Sequence, residues 1–168
     1  LAKAKPGELN YASGPNGGGS HLSAELFKRM AGVNIVRIAY KGGSAALIDV
    51  VGGRVQMTID DAPTLMPNVK TGKLRALAIT SAQPSPLYPN LPTVAASGVP
   101  GYESVAMQGI FVPAKTPAAL VKRLNLEIVR VLNGSDAKEK FAGLGVEVVA
   151  NSPDEFAAIL KTEMDRMG

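Results

Sequence analysis

Asn10-Tyr11-Ala12-Ser13-Gly14-Pro15-Asn16-Gly17-Gly18-Gly19-Ser20-His21-Leu22 runs from a short apolar strand through a small, polar, glycine-rich turn into the start of a helix. Residues 10–13 are the strand. Ser20 is expected to cap a helix that reaches about Ala31, with Leu22, Leu26, Phe27 and Met30 as its apolar stripe and Gly32 as its stop. Glycines let a backbone come close to a ligand, and the unpaired N–H groups at a helix start favour an anion.

The same plan recurs downstream. Ile35-Val36-Arg37-Ile38-Ala39-Tyr40 reads as a strand, Lys41-Gly42-Gly43-Ser44 as a turn, and Ser44 as the cap of a helix through Leu47, Ile48 and Val51 that ends at Gly52-Gly53. Val55 to Ile59 is a third strand. Asp60-Asp61-Ala62-Pro63 follows, with Pro63 suited to the first turn of a helix that Gly72 closes. Leu74 to Thr80 is a near-continuous apolar run of the buried parallel kind. This alternation predicts an α/β fold: right-handed crossovers, a parallel or mixed sheet, and helices on both faces. Ligands of open α/β sheets bind beyond the carboxyl ends of the strands, so the three polar turns should share the ligand edge.

After Ser81 the texture changes. Pro84, Pro86, Pro89 and Pro92 forbid regular structure and point to a fixed, extended segment. Tyr102 to Val112 can make one strand broken by Gly109. Thr116-Pro117 then starts a long amphipathic helix with Leu120, Leu124, Ile128, Val131 and Leu132 on one face. Val146 to Val149 reads as a last strand, and Ser152 with Glu155 makes a capping box for a helix reaching Met167.

Composition excludes several functions. The 168 residues carry a formal charge of +4, but Lys and Arg are scattered and aromatics are only 5%, so no nucleic-acid surface is expected. Without cysteine there is no disulfide or thiolate chemistry, and a single histidine leaves no cluster for a transition metal, so neither metal nor cofactor is expected. No apolar run reaches membrane-spanning length. The start, Leu1-Ala2-Lys3-Ala4-Lys5-Pro6-Gly7, has neither an initiator Met nor a signal-peptide pattern, and the chain is expected to be cut from something longer.

The glycine turn lacks the G-x-G-x-x-G spacing of a dinucleotide site, and Ser20 and His21 stand where a phosphate-binding loop needs Lys and Ser/Thr. Backbone capture of a carboxylate by Ser13, Asn16, Gly17, Gly18, Gly19 and Ser20 is one reading; a bare turn is the other. His21 has no nucleophile elbow to serve and stands as a helix-start residue near the rim. Lys41 can hold an anion or simply be solvated. Tyr40 can wall a ligand or belong to the core. Asp61 suits an N-cap, and whichever of Asp60 and Asp61 reaches a ligand suits an amino or hydroxyl group, or a water, better than a second carboxylate.

Beyond these readings, whole strings resemble a known family. Leu9-Asn10-Tyr11-Ala12-Ser13-Gly14, His21-Leu22-Ser23-Ala24-Glu25-Leu26-Phe27-Lys28, Tyr40-Lys41-Gly42-Gly43, Lys70-Thr71-Gly72-Lys73-Leu74-Arg75-Ala76-Leu77-Ala78, Leu91-Pro92-Thr93-Val94, Gly98-Val99-Pro100-Gly101-Tyr102-Glu103 and Phe111-Val112-Pro113-Ala114 are similar to the Bug-type extracytoplasmic solute receptors of tripartite tricarboxylate transporters. The resemblance implies a periplasmic, two-lobed receptor of the periplasmic binding protein type II kind, without catalysis, that closes on a small carboxylate and hands it to a membrane permease. It implies that residues 1–104 are lobe two, and that residues 105–168 are the crossing strand and C-terminal helices completing a lobe one whose beginning is missing. Exposed edges and apolar helix faces would then favour a dimer or domain swap.

Carried onto this sequence, the family's site places Ser13 to Ser20 on a ligand carboxylate and Asp60-Asp61-Ala62-Pro63 on the far side, with Tyr40 to Ser44 between. Ala39 stands where the family often has Pro, Ala96 where it often has Glu, and the double Asp60-Asp61 is less usual than one aspartate. Two readings of other classes remain beside this one. An effector-sensing domain of a transcription regulator shares the two-lobed plan, and a small α/β enzyme on an acidic substrate would need a base and nucleophile in reach.

Overall fold

The computed structural model describes residues 1–167 and divides them into two compact units, one from Leu1 to Met107 and a second beginning at Gln108. The first unit is built on β1 (Asn10–Ser13), α1 (Gly19–Ala31), β2 (Val36–Ala39), α2 (Gly43–Val51), β3 (Met57–Thr58) and α3 (Ala62–Lys70). Its three strands form a parallel sheet in the order β2-β1-β3, with Tyr11 opposite Arg37 and Met57, and Ala12 opposite Ile38 and Thr58.

Successive strand residues face opposite sides of a sheet, and β1 uses this to hold two helices. Tyr11 packs with Ala24 of α1 and Ile35, and Ala12 packs with Ala46 of α2 and Val55. Helices therefore cover both faces, as the alternation of elements predicts. Ala24 and Ala46 are buried and small, which lets each helix lie close to the sheet. The Tyr11 hydroxyl donates to Glu25, which also takes Lys28 at 2.8 Å, and burial with that bond pushes the phenol far above its ordinary value.

Two caps differ from expectation. Gly18, not Ser20, is the N-cap of α1, and Gly42, not Ser44, is the N-cap of α2; neither has a side-chain cap. Both glycines take the extended conformation that a cap needs, so each helix begins before its serine. Gly32 ends α1 in the left-handed region, φ 60°, as its position suggests.

The expected fourth strand does not form. Among the described residues the one bridge of Leu74 to Thr80 is at Ile79, which pairs with Thr93 and exchanges bonds with the Pro92 carbonyl and the Val94 N–H, both 2.9 Å, while the Thr80 carbonyl accepts from the Ser104 N–H at 2.9 Å. Its partner is the proline segment, which lacks the donors of a ladder, and Leu77 stays 69% exposed. Tyr102 to Val112 is not a strand either. Tyr102 is instead buried edge-on to Phe27 at 6.2 Å, with its hydroxyl donating to the Ser23 carbonyl, and burial pushes that phenol up to about 12. The sheet unit is thus tied off along α1.

The second unit consists of α4 (Ala118–Leu132), α5 (Ser135–Gly143) and α6 (Pro153–Met167). The capping box at α6 is present: Glu155 accepts from the Ser152 N–H at 2.8 Å and its own N–H donates to Ser152 Oγ at 3.3 Å. Val146 to Val149 forms no strand, and Val149 is 73% exposed. The helix α5 has no clear apolar period and was not foreseen; its Ala, Lys and Glu content supports it by propensity. Among the described residues every fully buried side chain lies at or before Tyr102, so this unit has no closed core of its own.

Ala150, just before the α6 cap, sits at φ 51°, where a Cβ is strained. Ala150→Gly is therefore expected to stabilise the second unit by roughly 0.5–1 kcal/mol, read as a higher urea midpoint; a lower midpoint would show that the turn is not strained.

Candidate carboxylate site

The strand order creates the site. From β1 the chain passes through α1 to β2 on one side, and from β2 it returns through α2, over the opposite face, to β3 on the other side of β1. Connections thus diverge from the carboxyl end of β1, the place where open α/β sheets form a crevice. Because all pairs are parallel, the turns after β1, β2 and β3 share that edge. The middle position belongs to the glycine loop. That corrects the expected order, in which Tyr40 to Ser44 lay between the other two. Even so, the flanking turns approach one another: a methyl group on Gly43 would lie 3.1 Å from Asp60 Oδ2.

Within the glycine loop most donors are already engaged. The Gly14 N–H donates to Ser20 Oγ at 3.0 Å, Gly17 to His21 Nδ1 at 3.1 Å, and Gly18 to the Pro15 carbonyl at 3.1 Å. Gly17 adopts φ 76°, a conformation that favours glycine, and a Cβ on Gly18 would press on the Pro15 carbonyl oxygen at 3.1 Å. What remain are the Asn16 amide and the first-turn amides of α1: no acceptor among the described residues takes the N–H of Asn16, Gly19 or Ser20. The first-turn amides of α2, Gly43, Ser44 and Ala45, are equally unengaged. Two helix starts thus offer unpaired donors on one edge.

The other expected residues fall into clear places. Ser13 is fully buried, so it acts from beneath the loop and not at its surface; Asn16 is exposed above it. Lys41 is exposed. The Tyr40 hydroxyl donates to Asp49 Oδ2 at 2.7 Å, an oxygen pair that Arg54 also holds at 2.6 Å, while its ring joins the Ala12 cluster. That arrangement gives Tyr40 to the core side of the edge. Asp61 is the N-cap of α3 without a side-chain cap, Ala62 begins that helix, and the Asp61 N–H donates to Asp60 Oδ1 at 2.9 Å.

Burial pushes the Asp60 carboxyl above its ordinary value, the Asp61 N–H opposes this, and the Asp61 charge adds to it. A carboxyl raised in the folded state stabilises the fold while protonated. That contribution is complete below the unfolded value of about 3.9 and is lost as pH rises through the folded one. Asp60→Asn is therefore expected to be more stable than the unsubstituted chain at neutral pH, with the gain vanishing in strong acid. Thermal melts at the two pH values test this, and a neutral-pH loss would contradict it.

Sequence reasoning missed Arg37. Its guanidinium donates from Nε to Ser13 Oγ at 2.7 Å, from Nη2 to the Gly14 carbonyl at 2.8 Å, and from Nη1 to Asn16 Oδ1. The signal was there: Arg37 is the one charge inside the apolar run Val36-Arg37-Ile38-Ala39.

Known proteins share this architecture. The family model described as tripartite tricarboxylate transporter family receptor matches residues 1–168. A protein of Pseudomonas sp. strain P51, named for the tcbD-tcbE intergenic region, is 36% identical over 98% of this chain and 49% of its own length. Rpa4515 of R. palustris, solved with adipate, superposes with a TM-score of 0.90 at 37% identity, covering 98% of this chain and 55% of that one. MatC of Rhodopseudomonas palustris, with bound malate, gives 0.83 at 27% identity over 99% and 57%. The chain spans about half the length of most of the curated relatives it matches.

Proposed function

This chain belongs to the receptor family of the tripartite tricarboxylate transporters, and from that premise we propose that its glycine-loop edge binds one carboxylate group of a small dicarboxylate. The observation that carries the reading is the pair of unengaged amides, Gly19 and Ser20, at a helix start on the switch-point crevice. Asn16, Gly17 and Gly18 shape the approach, with Ser13 beneath. Lys41 and the α2 amides flank one side, and Asp60, Asp61 and Ala62 the other. The neighbours' adipate and malate are both dicarboxylates, which fits two separated sets of helix-start donors. Solute receptors bind and release without reaction. His21 Nδ1 is held by the Gly17 N–H, and among the described residues no nucleophile is paired with it.

In the same reading residues 1–104 are the second lobe of a periplasmic receptor, residues 105–168 contribute to the first, and the bound acid passes to membrane permease subunits. Among the described residues no helix is long and apolar enough to cross a membrane. A thermal-shift series with adipate, malate and a matched neutral diol tests the ligand class. Ligand at about 100 times its dissociation constant stabilises the native state by about 2.7 kcal/mol. The reading expects the melting temperature to rise with the acids and not with the diol. Equal responses to acid and diol would overturn it.

A further inference from the structure

Arg37 occupies a position where strand patterning calls for an apolar residue, yet its side chain is fully committed to the loop beside it. Its three contacts fall on three acceptors spread from Ser13 to Asn16: a hydroxyl, a carbonyl and an amide oxygen. A guanidinium holds its N–H groups in a rigid planar fork, so three simultaneous bonds fix the plane of the loop as well as its distance from β2. β2 is itself locked to β1, because the Tyr40 N–H donates to the Ser13 carbonyl at 2.9 Å. The loop is therefore held from the sheet as well as by its own amide bonds to Ser20, His21 and the Pro15 carbonyl, and the fork adds a restraint that glycines, with little conformational preference, do not supply.

All three acceptors are neutral, and among the described residues no carboxylate lies within ion-pair distance of Arg37. Neutral acceptors do not by themselves require a cation, and a partly buried charge without a counter-ion carries a cost. A bound anion on the loop would supply the missing counter-charge.

We propose that Arg37 is the positioning residue of the glycine loop, setting the Gly14 to Ser20 backbone so that the Gly19 and Ser20 amides are presented to an anion. This rests on the carboxylate reading of that loop. Two variants separate the roles: Arg37→Lys keeps the charge and loses the fork, and Arg37→Gln loses the charge. Amide hydrogen exchange in the ligand-free chain is read at Gly14, Gly17 and Gly18 and, as an internal reference, at Tyr11 and Ala12. The loop amides are expected to exchange about tenfold faster in both variants while the strand amides hold their rates. Adipate affinity, followed by NMR titration, should fall in both and be partly retained in Arg37→Lys.

Unchanged loop exchange in either folded variant would overturn the proposal. So would equal acceleration of loop and strand, which makes Arg37 an ordinary part of the fold's stability. Local loosening of the loop, with no adipate response in the unsubstituted chain, would support the positioning role and count against the carboxylate reading, so the two can fail separately.

Discussion

Tyr11→Ala is expected to remove about 3–5 kcal/mol and leave the sheet unit largely unfolded at physiological temperature. The side chain is fully buried in the middle of the central strand, against Ala24 and Ile35, with Leu9, Phe27, Met57 and Ile59 around it. These neighbours belong to α1, the sheet and the segments flanking all three strands, so the cavity opens where the elements meet and cannot collapse by moving one of them. The Lys28 ammonium, 5.7 Å from the ring centroid, would lose its aromatic partner as well. Small domains have about 5–15 kcal/mol in total, so the loss is a large share of the whole. Tyr11→Phe keeps the volume and removes the bond to Glu25, for a cost of about 1 kcal/mol. Urea unfolding of both variants reads the contrast. An alanine variant as stable as the phenylalanine one would mean that β1 is not the centre of the core.

The second large effect is association. Along α4, Leu120 is 48% exposed, Leu126 60% and Val131 63%, and among the described residues no buried cluster forms beneath them. Covering one leucine is worth about 1.5–3 kcal/mol, so a handful suffices for micromolar self-association even after the cost of immobilising two chains. The sheet unit adds an open edge at β2, where Val36 and Ile38 are exposed in an outer strand. Sedimentation velocity over a wide concentration range is expected to show mass rising above 17.4 kDa. Leu120→Glu with Leu126→Glu is expected to restore the monomer. A chain that stays monomeric throughout, unsubstituted, would show that these faces do not attract one another.

The parts of the fold that the sequence reveals are those whose partners are close in sequence. Three strand-turn-helix units carry their own hydrophobic faces, and β1, β2 and β3 find one another within residues 10–58. Family strings then pointed to a receptor, and the family match agrees. The segments 74–80, 102–112 and 146–149 carry equally good strand patterns and form no strand, because a strand pattern states only that one face is apolar; a ladder also needs a neighbour with free donors. In the site, glycine spacing showed where the backbone could approach a ligand. It could not show that Gly14, Gly17 and Gly18 turn their amides inward and leave those of Gly19 and Ser20. Nor could it show that Ser20 closes the loop instead of capping the helix, since a serine before a helix serves either purpose. Arg37 escaped because its three acceptors lie on another strand and its loop, a relation that only the register of β2 on β1 establishes.

Amide chemical-shift mapping of this chain with increasing adipate tests the central claim most directly. Saturable shifts are predicted for Gly19 and Ser20 first, then for Gly43, Ser44 and the Asp60 to Ala62 turn, with α4 and α5 unaffected. Shifts confined to the α4–α5 groove around Val131, Phe141 and Leu144, with a silent glycine loop, would contradict it.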